Sequence, residues 1–489
     1  MLNNIICSAQ IDITPDTYAV FLCKECAAAL DKLQLPQAIA NTITAYLQND
    51  MDIYDVGELR TLTTFVDNKL VKLLLVGCGR GKDCKPNNFR IAAGEAVRAL
   101  RKEQAAAVGI YAPILMNPKR AHYLQAVAEG LYLGAYTFNK YKSDAKAPKT
   151  MTIGINSGIA EAAEVINRAC TIAEAVSFAR DLVNEPGNVV YPEVMAQKAQ
   201  QLAAEQNLEL EILEEQALLE KEMRSIVAVG QGSVRKPRLI TLKYNGAGTE
   251  PYVAYVGKGI TFDSGGISIK PDDNMGEMKD DMTGSACVLA AIKAVAELKL
   301  PVNIMAVLAC AENMPGGNAQ RPGDIVKAAN GKTIEVVSTD AEGRMVLADA
   351  VYYACTLGAA KVIDIATLTG GVMVALGTQT SGIITNDEAL GKELVDAGKR
   401  AGESLFVLPS LPELAEAIKS DVADLKNSAG RYGSCITGGL FIGEFVNKDI
   451  PWAHIDIGGT STVTSTKGFK PIGGTAFGTM TLIRLAGKF

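Results

Sequence analysis

Strand-like and helix-like segments alternate from about residue 186 onward, and this alternation restricts the folds open to the sequence. Strands separated by helices form a largely parallel sheet with helices on both faces. We therefore predict an α/β fold, in which the larger, carboxyl-terminal domain has a mostly parallel or mixed central sheet covered by helices. The predicted strands lie at 224–230, 238–244, 252–258, 302–309, 333–338 and 361–366, and the predicted helices at 192–206, 282–299, 343–357 and 388–401.

The first part of the chain is predicted to form a smaller α/β domain. A buried strand is expected at 72–81 and an amphipathic helix at 89–104, and a polar boundary follows at 141–150. Sustained helical periodicity over 157–185 predicts a long helix that stops at the sequence PGN. The predicted division is an amino-terminal domain at 1–150, a linking helix within 151–185 and a larger domain at 186–489.

Composition is typical of an ordinary globular protein, with 48% hydrophobic and 21% charged residues among 489. The net charge of −6 argues against a general nucleic-acid surface, so DNA binding is not supported. The sequence has no apolar run of transmembrane length and no signal-peptide pattern, so we expect no membrane partner. Its ten cysteines stand in apolar segments, as for Cys287 and Cys310, which is typical of reduced cytoplasmic proteins.

Six charged residues occur in segments that are otherwise rich in glycine, threonine and small apolar residues. Three of the segments follow predicted strands, and ligands of open α/β sheets bind at the carboxyl ends of strands. Carboxylates brought together in such a place repel one another unless cations lie between them. The pattern therefore predicts a carboxylate-rich site for divalent metal ions. The six residues are Lys258, Asp263, Asp281, Asp340, Glu342 and Arg344.

The spacing of Lys258 and Asp263 makes a further demand on the backbone. Residues five apart point to opposite faces of a straight strand, so both can face one site only if the strand bends. We predict that Gly257 and Gly259 permit this bend.

Each charged residue also has an ordinary structural explanation, which stays open when the residue is taken alone. Helix caps, turns, solvated lysines and surface ion pairs are common in any globular protein. Asp281, and Thr339 together with Glu342, could be helix caps, and Asp263 could lie in a plain turn. Lys258 and Lys270 could be exposed to solvent, and Arg344 could form an ordinary ion pair.

Several motifs, in this order, resemble those of the leucyl aminopeptidase family, the hexameric two-metal enzymes of the cytosolic leucine aminopeptidase type. The resemblance covers most of the carboxyl-terminal part of the chain, whereas the first 150 or so residues agree only weakly. The motifs are NEPGN (184–188), AVGQGS (228–233), VGKGITFDSGGISIKP (256–271), MKDDMTGSA (278–286), TDAEGR (339–344), ATLTGG (366–371) and WAHIDIGG (452–459).

The resemblance implies a site for two divalent metal ions. Oxygen ligands with one amine suit Zn²⁺ or Mn²⁺, and Mg²⁺ or Co²⁺ as well. The implied catalytic pair is Lys270 and Arg344, with a bicarbonate bound at Arg344 as general base. The implied ligands are Lys258, Asp263, Asp281 and Glu342 for one ion, and Asp263, Asp340 and Glu342 for a second, more exchangeable ion.

The same resemblance implies an aminopeptidase in which a metal-bridging hydroxide attacks the scissile carbonyl. Lys258 could ligate a metal only as a neutral amine, whereas Lys270 as an ammonium would stabilise the oxyanion. Met278, Thr367 and Gly370 are the implied side-chain pocket, which indicates a preference for leucine-like residues. A homohexamer that cleaves short peptides in the cytoplasm is the implied setting.

Two details of the implied site are not decided by the resemblance. The family usually has asparagine where this chain has Ser338, which affects the surroundings of Asp340. The tandem acids Asp280 and Asp281 are equivalent in chemistry, and we choose Asp281 because its spacing from Lys270 fits the family pattern.

Other functions compete with this interpretation. Bridging carboxylates also serve two-metal phosphoester hydrolases, and a binding or regulatory protein is a third class.

The GCGRG sequence at 77–81 resembles a dinucleotide fingerprint but has the wrong spacing, so a turn is favoured. Cys23 and Cys26 lack the second pair that a zinc site needs. The two histidines, His122 and His454, lie outside the ligand motifs, which argues against a histidine-based hydrolase.

Overall fold

The computed structural model describes residues 5–24, 27–49, 52–81, 84–146, 148–487 and 489. The chain divides into two compact units. Unit 1 comprises 1–177, 463–472 and Phe489, and unit 2 comprises 178–462 and 473–488. Within the described residues no helix has the length and apolar character needed to span a membrane.

Unit 1 is built on a sheet in the strand order β1-β6-β5-β2-β4-β3, parallel except where β3 pairs with β4. The helix predicted at 89–104 is present as α2, which packs against β2 and β4, and the helix predicted at 157–185 is present as α4. The elements are β1 (Ile5–Ser8), β2 (Thr17–Leu22), α1 (Gln37–Gln48), β3 (Leu59–Val66), β4 (Lys69–Gly77), α2 (Pro86–Lys102), β5 (Ala107–Tyr111), α3 (Ala121–Gly134), β6 (Met151–Ile155) and α4 (Ala162–Asn184), with 3-10 helices at Ala27–Leu33 and Pro113–Met116.

A buried ion pair joins α2 to α3. The Arg90 side chain donates to Glu129 Oε2 from Nε at 2.9 Å and Nη2 at 2.8 Å, and both side chains are almost fully buried. Gln125 donates to the other carboxylate oxygen of Glu129 at 3.0 Å. Loss of Glu129 would remove the buried carboxylate that the Arg90 guanidinium and the Gln125 amide both contact.

We therefore expect Glu129→Ala to lower the free energy of unfolding by about 3–5 kcal/mol. The exposed pair Glu58 and Arg60 is the matched control, and Glu58→Ala should cost less than about 1 kcal/mol. Chemical denaturation followed by circular dichroism measures both. Equal, small effects would show that the buried pair does not hold the two helices together.

The two sequence motifs of unit 1 that suggested other functions lie at the ends of β2 and β4. Gly79 and Gly81 have φ of 118° and 66°, so these glycines meet the needs of a turn. Cys26 lies outside the described residues. Cys23 takes part in a disulfide, whereas the other cysteines among the described residues are free thiols. The expectation that every cysteine is reduced is therefore wrong at Cys23.

Unit 2 contains a larger mixed sheet in the order β15-β14-β17-β13-β9-β10-β8-β7. The central strands β17, β13, β9 and β10 are mutually parallel, whereas β8, β7 and β14 join antiparallel. The predicted fold class is confirmed. The elements are α5 (Pro192–Gln206), β7 (Glu209–Glu214), α6 (Glu215–Glu220), α7 (Arg224–Gly230), β8 (Arg238–Asn245), β9 (Tyr252–Asp263), α8 (Thr283–Glu297), β10 (Asn303–Asn313), β11 (Ile325–Lys327), β12 (Thr333–Glu335), α9 (Gly343–Thr356), β13 (Ala359–Ala366), α10 (Gly370–Leu376), β14 (Thr380–Thr385), α11 (Glu388–Ala401), β15 (Ser404–Val407), α12 (Pro412–Glu416), β16 (Leu425–Lys426), α13 (Ser434–Gly443), β17 (Trp452–Asp456), β18 (Thr462–Val463), β19 (Gly473–Gly474) and α14 (Thr479–Ala486), with a 3-10 helix at Met275–Asp280.

One predicted element has the wrong type. The segment 224–230 was predicted as a strand but forms the helix α7. Its apolar run is buried on all sides, and periodicity cannot distinguish a short buried helix from a strand. The helix is stabilised at its start by the buried Asp349 carboxylate, which accepts hydrogen bonds from Ser225 N at 2.9 Å and Ile226 N at 3.0 Å.

Candidate active site

The six charged residues converge where β9 and its parallel neighbours end. Lys258 lies within β9 and Asp263 is its last residue. The pairing of β9 with β10 advances three residues in β9, from Ile260 to Asp263, against two in β10, from Ala311 to Asn313. This extra residue is a β-bulge, which turns Lys258 and Asp263 toward the same face.

The bend in β9 lies at this bulge, between Ile260 and Asp263, and the prediction that Gly257 and Gly259 provide it is wrong. The glycines Gly257 and Gly259 admit helix α8 instead, because a Cβ at either position would lie 2.6 Å from atoms of Ser285. They therefore serve close packing of strand and helix.

Lys258 lies at the centre of the cluster and is 2% exposed. Its Nζ lies 2.8 Å from Asp281 Oδ2 and 2.9 Å from Glu342 Oε1, and it donates to the Thr367 carbonyl at 2.8 Å. A Cβ on Gly343 would approach Nζ to 2.6 Å, so a side chain at the start of α9 would displace the end of Lys258 from its present position. Burial opposes the ammonium charge, but the carboxylates outweigh it and raise the pKa of Lys258. Metal ligation would require this lysine to release its proton.

Lys270 joins the other two carboxylates. Its Nζ lies 2.8 Å from Asp263 Oδ2 and 2.6 Å from Asp340 Oδ1. Burial opposes its charge as well, but Asp263 and then Glu342 raise its pKa above the ordinary value. Lys270 is thus an ammonium group throughout the neutral range.

The donor set fits divalent cations. Carboxylate oxygens of Asp263, Asp340 and Glu342 lie within 4.8 Å of one another. Burial, with the Glu342 charge adding to it, raises the pKa of Asp263 to about 6, and burial raises the pKa of Asp281 well above its usual range. Four carboxylates facing two ammonium groups carry excess negative charge, which cations placed among them would neutralise.

Arg344 lies one residue into α9 and is buried, and burial lowers its pKa. Its Nε is enclosed without a hydrogen-bond partner among the described residues. A buried N–H donor without a partner is costly, so a small oxyanion such as bicarbonate fits this position.

The ordinary structural explanations fail at several of these positions. The N-cap position of α8 is Met282 and that of α9 is Glu342, and neither side chain makes a capping hydrogen bond. Asp281 and Thr339 therefore do not occupy the N-cap positions of these helices. The turn at Asp263 is real, since Gly265 N donates to Asp263 Oδ1 at 2.9 Å, but the other oxygen contacts Lys270.

Of the three predicted pocket residues, Thr367 has a direct contact with the charged cluster. Thr367 is tied to it directly, because its hydroxyl donates to Asp281 Oδ1 at 2.8 Å. Met278 is half-buried on the 3-10 helix that leads to Asp281, and Gly370 is the exposed first residue of α10. Their role as a side-chain pocket stays a prediction.

Two buried side chains that sequence reasoning did not select hold the loops of the site. Asp456, at the end of β17, accepts hydrogen bonds from Leu368 N, Thr369 N and the Thr369 hydroxyl, at 3.2, 3.4 and 2.7 Å. Asn427 accepts from Val337 N at 2.8 Å and donates to the Ser338 carbonyl at 2.7 Å. Asp456 stands within the WAHIDIGG motif, where its position at a strand end was an available signal.

His454 in the same motif has a structural environment. It is fully buried, and its Nδ1 lies 2.5 Å from Asp364 Oδ1, while Trp452 Nε1 donates to Asp364 Oδ2 at 2.7 Å. These contacts lie within the sheet formed by β13 and β17. These contacts give His454 a structural role in the sheet, apart from the charged cluster.

Comparison with known proteins agrees with this geometry. The catalytic domain of the cytosol aminopeptidase family matches residues 177–483, and the N-terminal domain of that family matches residues 21–145. The chain belongs to the cytosol aminopeptidase family. Membership makes it a metal-dependent peptide hydrolase of the aminopeptidase type, and the resemblance inferred from its motifs is confirmed.

Individual relatives cover most of the chain. A probable cytosol aminopeptidase of Alkaliphilus metalliredigens is 46% identical over 425 residues, 85% of each chain. That of Geotalea uraniireducens is 40% identical over 457 residues, 92% of each chain. Among solved structures, the bottromycin maturation enzyme BotP in complex with Mn is similar with a TM-score of 0.85 and 33% identity, over 97% of this chain and 99% of that one.

The tandem acids give a direct test of the site. The Asp281 carboxylate contacts Lys258 at 2.8 Å, whereas the Asp280 carboxylate accepts a hydrogen bond from the Ser461 hydroxyl at 3.3 Å. We expect Asp281→Asn to weaken Mn²⁺ binding at least about tenfold, because it would replace a predicted carboxylate ligand with a neutral amide. Asp280→Asn, the same change one residue earlier, should leave the affinity near that of the wild type. Isothermal titration of the metal-free variants measures both, and the reverse order would move the ligand to Asp280.

Proposed function

We propose that this protein is a two-metal aminopeptidase that releases leucine-like residues from the amino termini of short peptides. The observation that carries the proposal is the convergence of Asp263, Asp340 and Glu342 within 4.8 Å, beside the buried Lys258. Lys258, Asp263, Asp281 and Glu342 would hold one divalent ion, and Asp263, Asp340 and Glu342 a second. Such ions supply an activated water and polarise a carbonyl when bound.

The catalytic roles of the chain's own residues follow from charge and access. Lys270 is 21% exposed in its side chain, so it can reach a bound substrate while its ammonium remains close to the carboxylates. It would stabilise the oxyanion that forms at the scissile carbonyl. Arg344 would hold a bicarbonate through its unpaired Nε–H, and that anion would take up a proton as general base.

The test is hydrolysis of leucine amide before and after removal of metal. We expect chelation to lower the rate at least about tenfold, since a site of this kind supplies several kcal/mol of transition-state stabilisation. Zn²⁺, Mn²⁺, Mg²⁺ and Co²⁺, added back one at a time to the stripped protein, should restore it to different extents and so identify the preferred metal. Full activity after verified removal of all metal would contradict the proposal.

Substrate preference depends on the pocket proposed at Met278, Thr367 and Gly370. A flexible methionine adapts to varied apolar shapes, which supports leucine-like residues at the amino terminus. The likeness to BotP, a bottromycin maturation enzyme by its description, supports including peptides of modified structure in the substrate panel. A panel of aminoacyl amides in which acidic or basic residues react fastest would overturn the leucine-like preference.

The remaining parts of the proposal concern assembly and location. We propose a homohexamer in the cytoplasm, as the family resemblance implies, with no membrane partner. Light scattering of the purified protein tests the hexamer, and a monomer at working concentration would contradict it.

A further inference from the structure

The side chain of Asn313 bridges two segments of the active site. Asn313 is the last residue of β10 and is 2% exposed. Its Nδ2 donates to Asp263 Oδ1 at 2.7 Å and to the Thr339 carbonyl at 3.0 Å. Its own carbonyl accepts from Ser264 N at 3.1 Å and from the Ser264 hydroxyl at 2.8 Å. One residue therefore holds the end of β9 and the segment that precedes Asp340.

These contacts determine which oxygen Asp263 turns toward the cluster. Asp263 Oδ1 accepts from both Gly265 N, at 2.9 Å, and Asn313 Nδ2. A carboxylate oxygen has two lone pairs for such bonds, so Oδ1 is saturated by neutral donors. Oδ2 alone remains for charged partners, and in the structure it contacts Lys270 at 2.8 Å.

The Thr339 end of the bridge is equally well fixed. The Thr339 hydroxyl donates to the Gly265 carbonyl at 2.6 Å and accepts from Ser268 N at 2.7 Å. Thr339 thus joins the loop after β9 to the loop that carries Asp340, and the Lys270 ion pairs join them as well. The Asn313 amide adds a neutral donor that reaches both Asp263 and the Thr339 carbonyl.

The chemistry of asparagine suits this place. Its amide nitrogen carries two N–H groups, so it can serve two acceptors at once. Aspartate would set a second negative charge against Asp263, and an apolar residue would remove both bonds. Groups that orient metal-ligating side chains typically contribute tenfold to a hundredfold to metal affinity.

We propose that Asn313 is a positioning residue that fixes the orientation of the Asp263 carboxylate and its spacing from the Asp340 segment, so that both are preorganised for metal. This inference rests on the proposed function, because it assumes that Asp263 and Asp340 hold metal. Asn313 acts through Asp263 and Thr339 and need not touch the substrate.

The test compares Asn313 with a matched asparagine at the other end of β10. Asn303 is also 2% exposed. It accepts from Ala247 N at 2.9 Å and donates to the carbonyls of Gly248 at 3.0 Å and Glu250 at 2.5 Å. Asn313→Ala thus removes two side-chain hydrogen bonds and Asn303→Ala removes three, but only the first alters a segment of the site.

The readout is the affinity of metal-stripped protein for Mn²⁺, measured by competition with a chromophoric chelator. We expect Asn313→Ala to bind Mn²⁺ about 10–100-fold more weakly than the wild type. Asn303→Ala should keep wild-type affinity although its metal-free Tm falls. Asn313→Leu, which keeps the number and branching of the side-chain heavy atoms but has no hydrogen-bonding group, should repeat the loss and serves if the alanine variant does not fold.

The outcomes separate this inference from the proposed function. Failure of the wild type to bind Mn²⁺ or Zn²⁺ would overturn the metal site and the inference together. Wild-type binding that is unchanged in Asn313→Ala and Asn313→Leu would overturn the inference alone. Equal weakening in Asn303→Ala would show a general effect of strand stability and would also overturn it.

Discussion

An Asp340→Ala, Glu342→Ala double variant is expected to release leucine from leucine amide about 10³-fold more slowly than the wild type, or slower still. The two substitutions remove two of the three carboxylates that converge within 4.8 Å. Of the ion pairs among the described residues, Lys258 would then keep the one with Asp281, and Lys270 the one with Asp263. Transition-state stabilisation by metals is worth several kcal/mol, and each 1.4 kcal/mol is tenfold in rate.

The control for this variant changes charge equally without touching the cluster. Asp272 and Asp273 are exposed in the loop after Lys270, so Asp272→Ala, Asp273→Ala removes two acids from the same region. We expect this control to retain its rate within about threefold, because exposed charges interact weakly through water. Rates measured at saturating Mn²⁺, with circular dichroism to verify folding, decide the matter. A double variant as active as the control would refute the catalytic site.

The convergence of the charged residues could be predicted from sequence because several of them stand in short motifs that follow predicted strands. Asp263, for example, follows an apolar run and precedes Ser-Gly-Gly, and local patterns of this kind identify a strand end without tertiary information. The parallel arrangement of the strands then brings the motifs together at one edge of the sheet. The same pattern of alternating strands and helices thus predicts both the fold class and the location of the site.

Features that depend on partners far along the chain could not be predicted. The start of α7 is stabilised by Asp349, which lies 124 residues from Ser225, so the segment alone gives no sign that it is helical. The bulge in β9 depends on its register with β10, a property of the pair of strands. The glycine residues in β9 suggested a bend. In the structure they are needed because Ser285 of α8 approaches the strand too closely for a side chain.

The environments of Lys258 and Lys270 also could not be predicted from sequence. Both could be solvated surface residues as far as the sequence shows, yet Lys258 is almost fully buried and Lys270 is largely covered. What distinguishes them is access: only Lys270 has enough exposure to meet a substrate. Their different roles are therefore visible only in the folded protein, and they lead to opposite expectations for substitution.

Lys270→Met is expected to lower kcat by about 10²–10³-fold, the usual cost of removing one donor to an oxyanion. Its affinity for Mn²⁺ should not fall, because the Lys270 ammonium lies between Asp263 and Asp340 and competes with cations for their oxygens. Lys258→Met should instead weaken Mn²⁺ binding, since Lys258 is a proposed ligand. Steady-state kinetics at saturating metal, together with chelator competition, separates the two effects.

The control for both lysine variants is Lys293→Met on α8, where Lys293 pairs with Glu297 at 2.6 Å on the same helix. It removes an equally charged and partly covered lysine without altering the cluster, so both kcat and Mn²⁺ affinity should match the wild type. If Lys270→Met lost metal and kept its kcat at saturating metal, Lys270 would be a ligand and would not stabilise the oxyanion. A loss of kcat with metal binding intact assigns Lys270 to the developing charge on the substrate, which is the role that its contacts and its exposure support.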